Sequence, residues 1–291
     1  MFKGSMVALI TPFTAEGRFD EEAYRKLIEW QIEGGTDVIV SCGSTGEAAT
    51  LSYQEHQRVL EVCVEQVRKR VPILAGTGSN STVEAVDISL GAKSAGVDGL
   101  LLASPYYNKP SQEGLYQHHK KVAEKVALPQ VLYNVPGRTA VNMTAATTVR
   151  LSKIDNIVGI KEASGDLVQV SEIIAHADNE FVVIAGDDLL ALPIMACGGK
   201  GVISVSANIV PAEIKALVTA VAEGRWQEAR TLHLRLLSLN SSMFIETNPV
   251  PVKTAAALMG MCEEVVRLPL TPLQDANKAK LVAEMTRHGL L

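Results

Sequence analysis

The feature that most constrains the fold is a short apolar, β-rich run that recurs eight times in the first two-thirds of the chain. An amphipathic stretch follows each run. The candidate strands end near Thr11, Gly43, Gly76, Ser104, Tyr133, Lys161, Gly186 and Ser204. Successive ends lie 18 to 33 residues apart, which is the length of one strand and one returning helix. Because the runs are continuously apolar rather than alternating, they are typical of parallel strands buried on both faces.

The segments between the runs predict helices with recognisable ends. Residues 19–34 begin with acidic side chains, which suit the positive end of a helix dipole, and stop at a glycine pair. Residues 54–70 carry apolar side chains on one stripe and end in basic residues. Pro193 must lie in the first turn of its helix or kink it.

Eight strand–helix units in about 200 residues indicate a TIM barrel. The alternative is a doubly wound open sheet, but no G-x-G-x-x-G motif follows the first strand. After Ser206 the β signal fades, and further helices are predicted at residues 211–223, 226–239, 252–261 and 274–288. We therefore predict an α/β fold: a TIM (β/α)8 barrel over residues 1–224 with a C-terminal helical appendage over residues 225–291.

Composition narrows the function. Hydrophobic residues make up 47% and charged residues 20%, which is ordinary globular usage and excludes intrinsic disorder. With 27 Lys and Arg against 32 Asp and Glu, the chain lacks the basic excess that nucleic-acid binding requires. The apolar runs are too short to span a bilayer, and no signal-peptide pattern is seen. Four widely spaced cysteines suggest no disulfide framework, so we expect a cytoplasmic protein.

Two strand ends carry residues suited to imine chemistry. Lys161 closes an apolar run, where poor hydration lowers the pKa of an amine and lets it attack a ketone to form a Schiff base. Tyr133 lies 28 residues earlier, one strand–helix unit away, so its phenol can transfer protons at the same barrel mouth. The simpler alternatives are a lysine that reaches solvent and a tyrosine that packs with a hydrated hydroxyl.

Three loops add groups at the same end of the barrel. Gly43-Ser44-Thr45-Gly46-Glu47 has small residues and backbone N–H groups suited to a carboxylate or phosphate, although it could be an ordinary turn. Tyr106 and Tyr107 lie on a proline-bounded loop that could cap the site or anchor a subunit interface. Arg138 places a cation near the mouth, suited to a substrate carboxylate, but could instead form a surface ion pair.

Metal and cofactor sites are not indicated. His118 and His119 are adjacent, so on a helix they point about 100° apart and cannot share an ion. Asp187 and Asp188 could ligate Mg²⁺, but capping of the following helix is favoured. The chemistry must then come from side chains.

Four motifs resemble the dihydrodipicolinate synthase family within the pyruvate-dependent class I aldolases, and the likeness covers essentially the whole chain. They are Gly43-Ser44-Thr45-Gly46-Glu47, Pro105-Tyr106-Tyr107-Asn108-Lys109-Pro110, Tyr133-Asn134-Val135-Pro136-Gly137-Arg138-Thr139 and Gly159-Ile160-Lys161-Glu162-Ala163. The resemblance implies an aldol-type condensation of pyruvate with L-aspartate-4-semialdehyde that feeds diaminopimelate and lysine synthesis.

The resemblance also implies roles for individual residues. Lys161 forms a covalent imine with pyruvate, with no other cofactor and no metal. Backbone N–H groups of Ser44 and Thr45 hold the pyruvate carboxylate, and Gly186 and the Ile203 carbonyl line its pocket. Tyr133 shuttles protons through Ser44 and Tyr107, and Arg138 binds the carboxylate of the incoming aldehyde.

The resemblance further implies assembly and regulation. Tyr107 is expected to reach the site of a neighbouring subunit in a homo-oligomer, a dimer of dimers. L-lysine is expected to inhibit by binding at Ala49, His56, Asn80, Glu84 and Tyr106. Two departures from the family pattern bear on these roles. Ser44 stands where the family usually has Thr, and Ala48 and Tyr53 replace a polar residue and a histidine.

Two other functions stay open from the sequence. One is an N-acetylneuraminate or keto-deoxy-sugar-acid lyase, which would use the same imine; Ser44 also occurs in that branch, but Arg138 speaks against it. The other is a non-catalytic barrel that acts as a binding protein or scaffold.

Overall fold

Parallel strands close into a barrel in the computed structural model, which describes residues 2–291. The strands are β1 (Gly4–Ala8), β2 (Val38–Ser41), β3 (Ile73–Gly76), β4 (Gly99–Ala103), β5 (Gln130–Asn134), β6 (Ile157–Glu162), β7 (Val182–Ala185) and β8 (Gly201–Ser204). Each strand pairs with the next along the chain, and β8 closes the barrel by pairing with β1. The predicted TIM barrel is confirmed, and the open sheet is excluded.

Helices return the chain between strands and continue beyond the last one. Within residues 2–291 they are α1 (Glu21–Glu33), α2 (Tyr53–Val67), α3 (Thr82–Ala95), α4 (Gln112–Lys125), α5 (Pro136–Thr139), α6 (Ala145–Leu151), α7 (Leu167–His176), α8 (Ala191–Ala196), α9 (Pro211–Ala222), α10 (Trp226–Ser242), α11 (Val250–Leu258) and α12 (Asp275–Arg287). The last three form the expected C-terminal helical region. Its division from the barrel at residue 224 stays a prediction.

Alternate residues of each strand face two separate apolar cores, as the continuous apolar runs predict. Residues that point into the barrel include Met6, Val38, Leu74, Leu101, Ile184 and Ile203. Their neighbours point outward into the helical layer and include Val7, Ile39, Ala75, Leu100, Ile160 and Val183. Both faces of the sheet therefore pack against apolar side chains, and the candidate site residues lie at the strand ends.

Two strands end earlier than the sequence predicts, one because a distant side chain binds the backbone and one because the backbone turns left-handed. β1 ends at Ala8 rather than Thr11, since the N–H of Ile10 donates to Asn208 Oδ1 over 3.0 Å. β2 ends at Ser41 rather than Gly43 because Cys42 adopts a left-handed conformation with φ of 55°. Pro193 lies in the first turn of α8, as one of its two alternatives predicted.

Among residues 2–291, none of the helices combines the length and the apolar character needed to cross a lipid bilayer.

Barrel closure depends on a glycine that no larger residue can replace. Gly201 has φ of +151°, and a Cβ there would lie 2.1 Å from the carbonyl oxygen of Gly4 on β1. We expect Gly201→Ala to lower the free energy of unfolding by about 3 kcal/mol or more, because backbone must shift. Urea denaturation followed by circular dichroism measures the change.

Gly224→Ala is the matched control. Gly224 also has a positive φ, +72°, but a Cβ there would have no atom within 4 Å. Gly224→Ala should therefore lower the free energy of unfolding by only about 1 kcal/mol, the penalty for a side chain at positive φ. Equal losses in the two variants would show that close approach of β8 to β1 does not limit stability.

Candidate active site

Lys161 and Tyr133 lie side by side at the mouth of the barrel. They are register partners on β6 and β5, and the Lys161 Nζ lies 4.3 Å from the centre of the Tyr133 ring. Tyr133 belongs to the cluster that fills the barrel interior, whereas Ile160 beside Lys161 points into the helical layer. The prediction that the phenol and the amine sit on neighbouring strands is confirmed.

The amine of Lys161 is buried, with the residue only 6% exposed. Burial lowers the pKa of Lys161 from 10.5 to about 8, and the negative charges of Asp188 and Asp187 only partly oppose this effect. The predicted lowering is therefore confirmed in direction and cause. An amine with this pKa has an appreciable neutral fraction near pH 7, and only the neutral form is nucleophilic.

Tyr133 is buried as well, and burial raises the pKa of its phenol to about 12, with Arg138 acting in the opposite direction. The phenol is therefore protonated at physiological pH. It can donate a proton to an oxygen that becomes negative beside the amine, and the phenolate that remains can then accept one.

A polar layer on the other side of the sheet holds these two strand ends together. Asn134 and Glu162 directly follow Tyr133 and Lys161 and are themselves register partners. Asn134 Nδ2 donates to both oxygens of the buried Glu162 carboxylate, over 3.1 and 3.2 Å. Gln169 Nε2 and the N–H of Ser164 also donate to that carboxylate. Sequence reasoning missed this layer, although its signal was a polar pair at the next register position.

The loop at residues 43–47 forms a turn that leaves N–H groups available. The N–H of Glu47 donates to the Ser44 carbonyl over 3.1 Å. Across the described chain, the N–H groups of Ser44 and Thr45 donate to no acceptor. The loop runs into a short 3-10 helix, Ala48–Thr50, rather than directly into α2. The unpaired donors fit a carboxylate ligand.

A residue from the C-terminal region connects this loop to Arg138. Arg138 lies on α5 and its Nη2 donates to the Asn248 carbonyl over 2.9 Å. The Nδ2 of Asn248 donates to Thr45 Oγ1 over 3.0 Å. Arg138 is therefore linked through Asn248 to the loop that carries Thr45, and no surface ion pair of Arg138 is found among residues 2–291. Sequence reasoning missed Asn248, because a lone asparagine carries no signal of partners that lie 110 and 203 positions away.

Gly186 adjoins Lys161, and Ile203 lies in the barrel-interior cluster with Tyr133. A Cβ on Gly186 would lie 3.1 Å from Lys161 Cγ, so glycine gives the lysine stem its room. Ile203 is fully buried on β8 in the cluster that contains Tyr133. Asp187 next to Gly186 accepts from the N–H of Leu189, which confirms the capping interpretation. Asp188 accepts instead from the N–H groups of Val205 and Ser206.

Tyr107 is the predicted site residue that the structure does not bring to Lys161. It is 88% exposed and adopts a left-handed conformation with φ of 69°. Its ring is thus not packed into the site of its own chain.

The residues of the predicted regulatory site lie on the face formed by α2, α3 and the loop before α4. Tyr53 begins α2 and is 62% exposed, and Glu84 lies in the first turn of α3. Asn108 Nδ2 donates to the Asn80 carbonyl over 2.9 Å. His56 is buried and hydrogen-bonds the Gly76 carbonyl, and Ala49 is exposed.

Comparisons with known proteins agree with this geometry. The model of the Dihydrodipicolinate synthetase family matches residues 1–288. The 4-hydroxy-tetrahydrodipicolinate synthase of Syntrophotalea carbinolica is 65% identical over 291 residues, which cover 100% of this chain and 99% of the relative.

Solved structures agree as well. A dihydrodipicolinate synthase from Aquifex aeolicus is 47% identical with a TM-score of 0.98, and 99% of each chain is covered. A chloride-inhibited dihydrodipicolinate synthase from Acinetobacter baumannii, complexed with pyruvate, is 45% identical with a TM-score of 0.98 over 100% of both chains.

These matches confirm the predicted activity, that of a 4-hydroxy-tetrahydrodipicolinate synthase, which is a lyase of the class I aldolase type. They favour neither a sugar-acid lyase nor a non-catalytic scaffold. The chain belongs to the dihydrodipicolinate synthetase family.

Proposed function

We propose that Lys161 forms an imine with pyruvate and that the resulting enamine attacks the aldehyde of L-aspartate-4-semialdehyde. The observation that carries the proposal is the buried amine of Lys161, whose pKa lies near 8, beside the phenol of Tyr133. The amine adds to the keto carbon and the keto oxygen leaves as water. The imine withdraws electrons from the pyruvate methyl group, so a proton can leave and a carbon nucleophile forms without a further cofactor.

The loop at residues 43–47 holds the carboxylate of pyruvate. The N–H groups of Ser44 and Thr45 have no protein acceptor in the described chain and supply two donors for one carboxylate. Gly186 leaves space beside the Lys161 stem, and Ile203 bounds the pocket from β8. Together they orient the keto carbon toward the amine.

Tyr133 transfers the protons of imine formation and condensation. Its raised pKa keeps the hydroxyl protonated, so it donates to the carbinolamine oxygen and is reprotonated afterwards. The relay continues through the Ser44 hydroxyl and through Tyr107 of a neighbouring subunit. Ser44 supplies the hydroxyl of the usual threonine without the methyl group that fixes its rotamer.

We propose a homo-oligomer, a dimer of dimers, because Tyr107 is exposed in a single chain and needs a neighbour to enter a site. We also propose a cytoplasmic location, in keeping with four free cysteines.

Trapping with borohydride tests the proposed nucleophile. Borohydride reduces the imine, so mass spectrometry should place a pyruvate adduct on Lys161, and Lys161→Arg should abolish both the adduct and turnover. Lys253 is an internal control, since burial also lowers its pKa but Glu47 pairs with it. An adduct on another lysine, or no adduct, would contradict the mechanism.

The pH dependence follows from the pKa of Lys161. With a pKa of about 8, the neutral fraction grows as pH rises. The rate of imine formation at low pyruvate should therefore rise about tenfold per unit well below pH 8 and level off above it. Stopped-flow or quenched trapping from pH 6 to pH 10 measures this, and a flat profile would show that the buried amine is already neutral.

Arg138 should act on the second substrate only. We expect Arg138→Ala to lower kcat/KM for aspartate semialdehyde by about 100-fold, because a charged partner for its carboxylate is lost. Imine formation should change by less than about twofold. Arg138→Lys keeps the charge but not the planar guanidinium, so its kcat/KM for aspartate semialdehyde should lie between those of the wild type and Arg138→Ala. Equal damage to both steps would mean that Arg138 is structural, through its contact with Asn248.

L-lysine should inhibit at the face that carries Glu84 and Tyr106. An ammonium group would pair with the Glu84 carboxylate, which also accepts from Ser79 Oγ over 2.7 Å. We expect the steady-state rate to fall as L-lysine reaches millimolar levels and Glu84→Gln to weaken the effect, with D-lysine as the control. Rates that stay flat for L-lysine would refute regulation at this face.

A further inference from the structure

A buried ion pair joins the loop at residues 43–47 to the C-terminal helical region. Lys253 Nζ on α11 donates to Glu47 Oε1 over 2.6 Å, and each side chain is 1% exposed. The other carboxylate oxygen, Glu47 Oε2, accepts from the backbone N–H of Arg267 over 3.0 Å. Both oxygens of Glu47 are therefore held by residues more than 200 positions away in the sequence.

The surroundings of the pair leave it little freedom. Lys253 Nζ lies 4.0 Å from the centre of the Phe13 ring, and the Arg267 guanidinium lies 4.2 Å from the same ring. Arg267 also donates to the carbonyls of Gly17 and Thr50. The pair is thus fixed between the segments that follow β1 and β2 and the C-terminal region.

Glu47 ends the loop that carries Ser44 and Thr45. It adopts a left-handed conformation with φ of 53°, which a side chain other than glycine takes only when contacts hold it there. The N–H of Glu47 donates to the Ser44 carbonyl and so orients the peptide that carries the Thr45 N–H. The next N–H, that of Ala48, donates to the Gly43 carbonyl over 3.3 Å and so orients the peptide that carries the Ser44 N–H.

The same end of α11 reaches the loop a second time. Asn248, two residues before α11, donates to Thr45 Oγ1 over 3.0 Å and is 5% exposed. Asn248 and Lys253 therefore hold the loop at Thr45 and at Glu47, on either side of Gly46.

We propose that Glu47 and Lys253 are positioning residues that hold the N–H groups of Ser44 and Thr45 in the orientation that binds the pyruvate carboxylate. This inference rests on the proposed role of those N–H groups. A buried ion pair is not needed to stabilise the fold, since apolar residues of similar volume often serve as well. Here the ion pair selects one loop conformation, because the buried Glu47 carboxylate meets the Lys253 ammonium only in that conformation.

The test is the pyruvate dependence of borohydride trapping in Lys253→Met. Removal of the cation leaves Glu47 buried without a partner, so the loop should move to bring the carboxylate to water. We expect the half-saturating pyruvate concentration to rise about tenfold, the equivalent of one lost charge-assisted hydrogen bond. The KM for aspartate semialdehyde should change by less than about twofold.

A second variant and a control keep the test decisive. Glu47→Gln/Lys253→Met carries no buried charge, so it should fold even if Lys253→Met does not, and it should also raise the half-saturating pyruvate concentration. Lys215→Met is the matched control, because Lys215 pairs with Asp37 over 2.6 Å just before β2, at the opposite end of the barrel. It should lower the melting temperature without changing pyruvate binding.

Three results would overturn the positioning role. They are unchanged pyruvate saturation in a folded variant, an equal shift for both substrates, or the same pyruvate shift in Lys215→Met. Failure of the proposed function would look different, since the wild-type protein would then trap no pyruvate on Lys161. If the wild type traps pyruvate and the variants bind it equally well, only the positioning role fails.

Discussion

The desolvated amine of Lys161 is the constraint around which the site is arranged. A charged ammonium loses its hydration inside the barrel and finds no carboxylate at ion-pair distance among residues 2–291, so the equilibrium shifts toward its neutral form. Lys253 is buried to a similar degree, but the carboxylate of Glu47 compensates its charge. The same side chain in the same kind of burial is thus the proposed nucleophile in one place and an ion-paired cation in the other.

The barrel makes this arrangement possible because its strands are parallel and are buried by apolar side chains on both faces. The strands end together at one rim, so Tyr133 and Lys161 meet there although 28 residues separate them. The Asn134 and Glu162 pair behind the sheet then fixes the relative height of the two strand ends. The placement of Lys161 beside Tyr133 is set by the same strand register that closes the barrel, so the two cannot vary independently.

The sequence predicts the strands and site residues that follow a local pattern. It does not predict features that depend on contacts between distant segments. Lys161, Tyr133 and the loop at residues 43–47 were found because each follows an apolar run. The predicted end of β1 was wrong because the N–H of Ile10 donates to Asn208, which lies nearly 200 residues away. The Glu47–Lys253 pair spans 206 residues, and a lone Glu and a lone Lys carry no signal of their pairing.

The C-terminal region is therefore part of the site rather than an addition to the barrel. Thr45 and Arg138, the proposed partners of the two substrate carboxylates, both hydrogen-bond to Asn248. Lys253 on the adjoining helix α11 holds Glu47 at the end of the same loop. Asn248 thus joins two βα loops at the barrel mouth whose contacting residues lie 203 and 110 positions before it in the sequence. Asn248 therefore holds these two loops relative to each other, and with them the two proposed carboxylate sites.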